Sequence, residues 1–436
     1  MNGVTVRPLG EVAALQAGVG FPLDLQGRSN GKYPLAKVGD ISRGGRSGEA
    51  VLSSADHFVD EIDLERLRAK PIPAGSVLFA KIGEAIRQNH RVIAGCPLLI
   101  DNNAMAAIPG PEIESRYLYY FLRTVDFYRI ASATTVPALR KSELERIGVP
   151  LFALPEQRRI AEVLDRAEAL RAKRRAALAQ LDTLTQSIFL DLFGDPIQNM
   201  GGFPVRRLAD LVDGTRGISY GVVQRGEAIS GGVPLVRIKD VVAGEIAPKN
   251  LIRTSEAIAK KYRRTVLRGG ELVISIRGTI GRCALVPAEL AGGNITRELA
   301  LIPYADVSSA LFILALLRSD SVQKRIGGDV KGIAQRGINL EDLRELPVIQ
   351  PPKTTIAIFE VTVKTVDKLK SAHRASLAKL DALFASLQHR AFRGELCRDR
   401  LRPALHHHQR HRGRADGFLR RANLPRFACL TRDILG

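Results

Sequence analysis

Two stretches of the chain carry apolar residues at alternating spacings of three and four. In residues 154–196 no proline or glycine falls between Pro155 and Gly194. Ile160, Ala167, Leu181 and Ile188 lie on one seam, with a polar break at Arg174; Val163, Leu170, Ala177 and Leu184 lie on another. This spacing predicts a helix that packs along a second helix. Pro155 and Glu156 suit a first helical turn, and Gly194-Asp195-Pro196 a stop. At ~1.5 Å per residue, residues 154–193 would extend roughly 60 Å, too far without a partner of similar length.

That partner lies 199 positions further along, in residues 351–396. Ile160 maps onto Phe359, Leu170 onto Leu369, Leu181 onto Leu380, Leu184 onto Leu383 and Ile188 onto Leu387. The polar break maps too, Arg174 onto His373, and LAQLD at 178–182 becomes LAKLD at 377–381. Agreement at polar as well as apolar positions argues for duplication. Ile160, Leu170, Leu181, Leu184 and Ile188 are therefore expected to pack against Phe359, Leu369, Leu380, Leu383 and Leu387.

Before each long helix the pattern changes to short apolar strings between turn residues. Residues 77–80 follow Pro73-Ala74-Gly75 and residues 104–108 follow Asp101-Asn102-Asn103, which reads as strands. Residues 117–129 and 141–147 have the spacing of short amphipathic helices, and 42–46 and 87–91 read as Gly- or Arg-bearing loops. The scaffold repeats: 34–41 matches 234–241, 75–79 matches 270–274 and 107–109 matches 301–303. The intervening loops do not match. The expected fold is α+β: two repeated α/β domains, 1–153 and 196–350, separated by two long helices, 154–195 and 351–396, that pair as an antiparallel coiled coil. A second helix opening on Pro351-Pro352 should be helical from about Thr355. The tail, 397–436, is Arg- and His-rich without helical periodicity, and is expected to be a disordered basic segment or the product of a shifted reading frame.

Charge narrows the function classes. Lysine and arginine number 65 against 45 acidic residues, a net charge of +20, which points to a polyanionic partner. The tail holds ten Arg and three Asp, so the body stays basic without it. No apolar run approaches the ~20 residues of a membrane span, and the first residues lack a signal-peptide pattern, so a cytoplasmic protein is expected. Cys96, Cys283, Cys397 and Cys429 form no CxxC pair and read as reduced thiols. No phosphate loop, GxGxxG, GxSxG or zinc spacing is present, so no catalytic or metal residue is assigned; His406–His408 with His411 read as a solvated basic tract. Arg, Asn and Gln in the divergent loops suit base edges, and lysines suit phosphates. The candidate DNA contacts are Lys37, Arg43, Arg46, Lys81, Arg87, Gln88, Asn89 and Arg91, with His90 and Lys141, in the first unit. In the second they are Arg237, Lys239, Arg277, Thr279, Arg282, Asn294, Thr296, Arg297, Gln335 and Arg336, with Lys331.

LPEQRRIAEVLD at 154–165, ISYGVVQ at 218–224 and AFRGEL at 391–396 carry a family resemblance. With the repeated architecture, the chain resembles the specificity subunit of a type I restriction-modification system over residues 1 to about 395. The resemblance implies a non-catalytic subunit in which each unit reads one half of an asymmetric bipartite DNA target while the helices set the spacer. It further implies docking of two methyltransferase subunits, which bring S-adenosylmethionine, and of a motor and nuclease subunit, which brings ATP and Mg. Two alternatives stand beside it: a coiled-coil scaffold that binds nucleic acid non-specifically, and an enzyme whose active site leaves no motif.

Overall fold

The computed structural model describes residues 4–132, 135–224, 226–227, 229–242, 244–306, 309–328 and 338–396. The tail after Leu396, together with Lys331, Gln335 and Arg336, lies outside them. The helices used below are α1 (Val38–Ser47), α2 (Ser115–Thr124), α3 (Leu154–Phe193), α4 (Ala310–Arg318) and α5 (Lys353–Ala391).

α3 and α5 lie side by side and antiparallel. Phe189 and Phe193 stack on Phe359 at one end, with ring centroids 5.8 and 5.6 Å apart, while Arg159 donates to the Leu396 carbonyl at the other. Pro155 occupies the first turn of α3, where a missing N–H costs nothing, and Gly194 closes the helix at φ 69°. α5 starts at Lys353, two residues earlier than its sequence suggests, because Pro352 already holds the extended conformation of an N-cap.

Each end of the pair carries one globular unit. In the first unit the strands are β1 (Thr5–Pro8), β2 (Ala13–Ala17), β3 (Tyr33–Ala36), β4 (Val51–Leu52), β5 (Phe58–Val59), β6 (Val77–Ala80), β7 (Arg91–Ala94), β8 (Leu99–Ile100), β9 (Ala104–Pro109) and β10 (Gly148–Leu151). They form a sheet ordered β2-β9-β6-β7-β4, a second ordered β5-β3-β8, and the pair β1-β10. The second unit has β11 (Val205–Arg207), β12 (Ser219–Tyr220), β13 (Val233–Val236), β14 (Val241–Val242), β15 (Glu245–Ile246), β16 (Ile252–Thr254), β17 (Leu272–Ser275), β18 (Cys283–Leu285), β19 (Asn294–Ile295), β20 (Leu299–Ile302) and β21 (Pro347–Ile349). Its sheets run β12-β20-β17-β18 and β16-β13-β19, with β11-β21 as the closing pair and a β14-β15 hairpin where the first unit has β4. The order, and the parallel β3-β8 and β13-β19 pairings, repeat.

The central strands are buried on both faces, as continuous apolar runs require. Val77 and Phe79 enter a core with α2, Ile160, Leu164 and Phe384; Leu78 enters a separate core with Val92, Ala94 and Ala106. In the second unit Leu272 and Ile274 enter the core with α4, Phe189, Phe193 and Phe359, and Val273 the one with Val236 and Ile295. Each unit thus grips the start of one long helix and the end of the other.

Several expectations change. Residues 42–46 are not a loop but the second half of α1. Asp40 caps it by accepting from the Lys37 N–H at 2.8 Å, and two glycines let it press on neighbours. A Cβ at Gly44 would stand 2.9 Å from Val92, and one at Gly45 2.5 Å from the His90 ring. The segment 117–129 splits at Val125 into α2 and a turn of helix, Phe127–Ile130, restarted by the Asp126 cap.

The helix seam also changes phase. Ile160, Leu181 and Ile188, with Phe359, Leu380 and Leu387, are buried or half-buried between the helices and the units. Leu170, Leu184, Leu369 and Leu383 are exposed, at 53, 41, 49 and 49 %. The second seam runs one residue later, through Leu164, Arg171 and Leu178 on α3 and Val363, Lys370 and Leu377 by the same 199-residue offset. An apolar pattern misses it because its central members are charged. Arg171 Nε lies 2.6 Å from Asp381, and Lys370 Nζ lies 3.0 Å from Asp182. Each member of one pair is the repeat equivalent of a member of the other. Between them Arg174 Nη1 meets His373 Nδ1 at 3.0 Å.

Candidate nucleic-acid interface

In the second unit a cavity of about 460 Å³ gathers Val222, Arg237, Lys239, Thr296, Arg297 and Glu298. It forms because β13 and β19 are parallel, so both strands deliver their following residues to the same edge. Arg237 is folded back on Asp240, at 2.8 Å, which also caps the turn that follows by accepting the Arg237 N–H. Lys239 is exposed and makes no ion pair among the described residues, whereas exposed Arg297 lies 3.4 Å from Glu298. Thr296 and Asn294 are buried, at 5 and 0 %: Asn294 donates to the Tyr262 carbonyl, and the Thr296 backbone bridges Val222. The Asn294 side chain thus holds the edge from behind, and Thr296 is sunk in the cavity wall, so neither stands out as the base contact its sequence suggested.

The matching edge of the first unit joins Lys37, after β3, to Asp101–Asn103, after β8. Lys37 Nζ donates to Gln26 at 2.8 Å and stands 5.0 Å over the Phe21 ring. Lys81 joins this edge through its backbone, which donates to the Asn103 carbonyl at 2.7 Å. The close approach behind both edges needs glycine. A Cβ at Gly18 would lie 1.9 Å from the Asp101 carbonyl oxygen, and at Gly221 2.0 Å from that of Ile295.

The remaining candidates divide by burial. Arg43 is exposed but tied to Asp56 at 2.6 Å and to Asp40 at 3.2 Å, and the bond with Arg43 holds Asp56 below the usual carboxylate range. Arg87 pairs with Glu84 and stacks 3.9 Å over Tyr128. Arg46, Gln88, Arg277, Thr279 and Arg282 are exposed. Arg91 is 3 % exposed and stacks 3.8 Å from the Phe127 centroid, so it cannot reach a base. Asn89 is also engaged, donating to the Val125 carbonyl and accepting from Arg91 at 2.8 Å. The stretch 87–91 therefore offers outward side chains only at its start.

Residues 1–180 match the model of the type I restriction modification DNA specificity domain. That match takes in the first unit and the first part of α3. Along its length the chain is similar to type I restriction enzyme specificity subunits. It is 28% identical to the EcoBI subunit of Escherichia coli over 295 residues, 61% of this chain and 62% of that one. It is 22% identical to the EcoKI subunit of Escherichia coli K12 over 424 residues, covering 91% and 89%. A solved chain from structural work on type I R-M complex assembly superposes with a TM-score of 0.53 at 19% identity, covering 91% of this chain and 99% of that one. The specificity-subunit likeness thus extends beyond the matched domain to the second unit and both helices. Among the described residues no helix is long and apolar enough to cross a membrane, and no group of three His, Cys, Asp or Glu could hold a metal ion.

Proposed function

We propose that this chain is the sequence-reading subunit of a type I restriction-modification complex, itself without catalytic activity. Each globular unit, 1–153 and 196–350, reads one half of a bipartite duplex target, and the paired helices set the unread gap. The observation that carries this reading is the duplicated fold with unmatched outer edges: Lys37 with Asn102 and Asn103 on one unit, Arg237 with Arg297 and Glu298 at the equivalent places on the other. Identical scaffolds that carry different side chains at equivalent places suit two different half-sites. The exposed Arg46, Gln88, Lys239, Arg277, Thr279, Arg282 and Arg297, with the half-buried Lys37 and Lys81 at the first edge, remain the DNA contacts of choice.

Partner subunits belong to the same proposal. Leu170 and Leu184 on α3, and their equivalents Leu369 and Leu383 on α5, are exposed leucines in pseudo-symmetric positions. They support docking of two methyltransferase subunits that carry S-adenosylmethionine, with a motor and nuclease subunit joining to use ATP and Mg. The test is purification with the cognate methyltransferase subunit, followed by mapping of methylated bases. A bipartite methylated motif with a constant gap is expected, and replacing 1–153 by a relative's unit should change one half only. Methylation by this chain without a partner, or methylation with no motif, would refute the reading.

A further inference from the structure

A second basic cavity, of about 430 Å³, lies between the first unit and the helix pair. Arg46, His90, Arg91, Arg123, Glu168 and Arg175 line it, with Glu49 at its rim. Four guanidinium groups face two carboxylates there. Glu168 is shared among Arg123 at 3.4 Å, Arg171 at 2.6 Å and Arg175 at 3.2 Å, so it cannot neutralise them all. Arg46 is exposed and makes no ion pair among the described residues.

Arg91 is the decisive group. It is 3 % exposed and has no carboxylate partner among the described residues. Its two terminal nitrogens donate to neutral oxygens, the His90 carbonyl and Asn89 Oδ1, both at 2.8 Å, and its Nε has no acceptor. A buried, uncompensated cation is costly unless an anion arrives. Burial and then the charge of Arg123 push Arg91 down to about 9, and burial followed by Arg46, Arg91 and Arg123 lowers His90. Burial leads both shifts; neighbouring guanidinium groups add to it, and Asp126 opposes it at Arg91.

We propose that this cavity binds a tetrahedral phosphate-type oxyanion, held between Arg46, Arg91, Arg123 and Arg175. Those side chains come from four separate elements, α1, β7, α2 and α3, and so approach from different directions. A tetrahedral anion accepts from several directions, whereas a planar carboxylate is best served by a single fork. The excess of two positive charges also matches a phosphate group, which carries roughly −1.5 to −2 near neutral pH.

The duplication supplies an internal control. Cys283 opposes Ile274 in β18 as Arg91 opposes Phe79 in β7. The corresponding cavity of the second unit is lined by Arg318 and by Arg282 at the place of His90, and has the Cys283 thiol where the first has a buried guanidinium. One tight site per chain follows.

The test is titration of the full chain with inorganic phosphate in chloride buffer, read by calorimetry and by phosphorus resonance broadening. Saturation at one site per chain is expected. Arg46→Ala and Arg175→Ala, neither in a hydrophobic core, should each weaken binding about tenfold or more by removing a charge-assisted bond. Arg91→Met, which keeps the stack on Phe127, should abolish binding with the circular dichroism spectrum unchanged, and Arg282→Ala should leave it intact. No saturable binding, undiminished affinity in Arg46→Ala and Arg175→Ala, or two equal sites would overturn the proposal. A duplex oligonucleotide then distinguishes the source: displacement of phosphate identifies the backbone of DNA, and retention of phosphate beside bound duplex identifies a free small anion. Phosphate binding in a chain that binds no duplex would leave this site standing while removing the DNA reading.

Discussion

The charged pairs at the centre of α3 and α5 give the sharpest test of how the helices keep their register. Lys370 is only 7 % exposed; it lies 3.0 Å from Asp182 and 3.9 Å from Asp367. Breaking a fully buried pair from one side costs about 3–5 kcal/mol. Asp182 is 40 % exposed and Asp367 stays nearby, so Asp182→Asn should cost less, about 1–2 kcal/mol. Lys370→Met leaves a carboxylate that water can reach, and should cost no more than about 1 kcal/mol. The double variant removes the stranded cation, so its loss should be smaller than the sum of the two single losses by about 1 kcal/mol. The mirror-image change has a different size. Asp381→Asn still leaves Arg171 bound to Glu168 at 2.6 Å, so it should cost less than Asp182→Asn despite occupying the equivalent place. Urea unfolding of the four variants, followed by helical circular dichroism, measures each value. Additivity within about 0.5 kcal/mol, or equal losses for Asp182→Asn and Asp381→Asn, would refute the account.

The close backbone approaches behind the two edges make Gly18→Ala and Gly221→Ala destabilising by about 2 kcal/mol or more, because the obstacle in each case is a carbonyl oxygen; thermal melts check this. Glu360 is 6 % exposed and burial raises it above the ordinary carboxylate value, so the folded state holds its proton more tightly than the unfolded one. Its contribution is therefore lost as pH rises through the window above the unfolded value of 4.5, and Glu360→Gln should stabilise the chain at neutral pH, with the gain vanishing below that window. Melting curves at acid and neutral pH decide it. In the assembled complex Lys239→Ala should lower the salt dependence of duplex binding by about one unit of slope with unchanged sequence preference, whereas Arg297→Ala should relax one position of one half-site; binding titrations across salt and base-substituted duplexes separate the two.

The repeat and the two long helices were legible because duplication preserves periodicity and offset together. The seam was only half legible. Leu170 and Leu184 satisfy an apolar heptad yet face outward, while Arg171 and Lys370 face inward because an aspartate eight positions past each polar break answers them across the interface. The usable signal was Asp182 and Asp381 in LAQLD and LAKLD, two acids at the repeat offset, each needing a basic partner. Residues 42–46 hid a helix because Gly44 and Gly45 read as loop residues, although their smallness serves packing on Val92 and His90. Arg91 looked like a base contact among polar neighbours. Its burial depends on Phe127, a residue far along the chain that no local pattern connects to it.

Arg174 and His373 are separated in sequence by the repeat offset itself, 199 positions, and they touch. In an antiparallel pair of equivalent helices, a residue can meet its own equivalent only where the two-fold axis crosses. The axis is therefore fixed at this contact, and the Arg171–Asp381 and Lys370–Asp182 pairs flank it as mates. Symmetry ends at the same place. A true two-fold would set arginine against arginine or histidine against histidine, whereas here a guanidinium donates to an imidazole nitrogen. The same departure recurs at the outer edges, where Asn102 and Asn103 face out from one unit and Arg297 and Glu298 stand at the equivalent places of the other, and at Arg91 against Cys283. The scaffold is duplicated because both ends solve the same packing problem on the same helix pair. The side chains differ wherever a partner other than that scaffold sets the chemistry, and at the axis, where an arginine meeting its own copy would repel it.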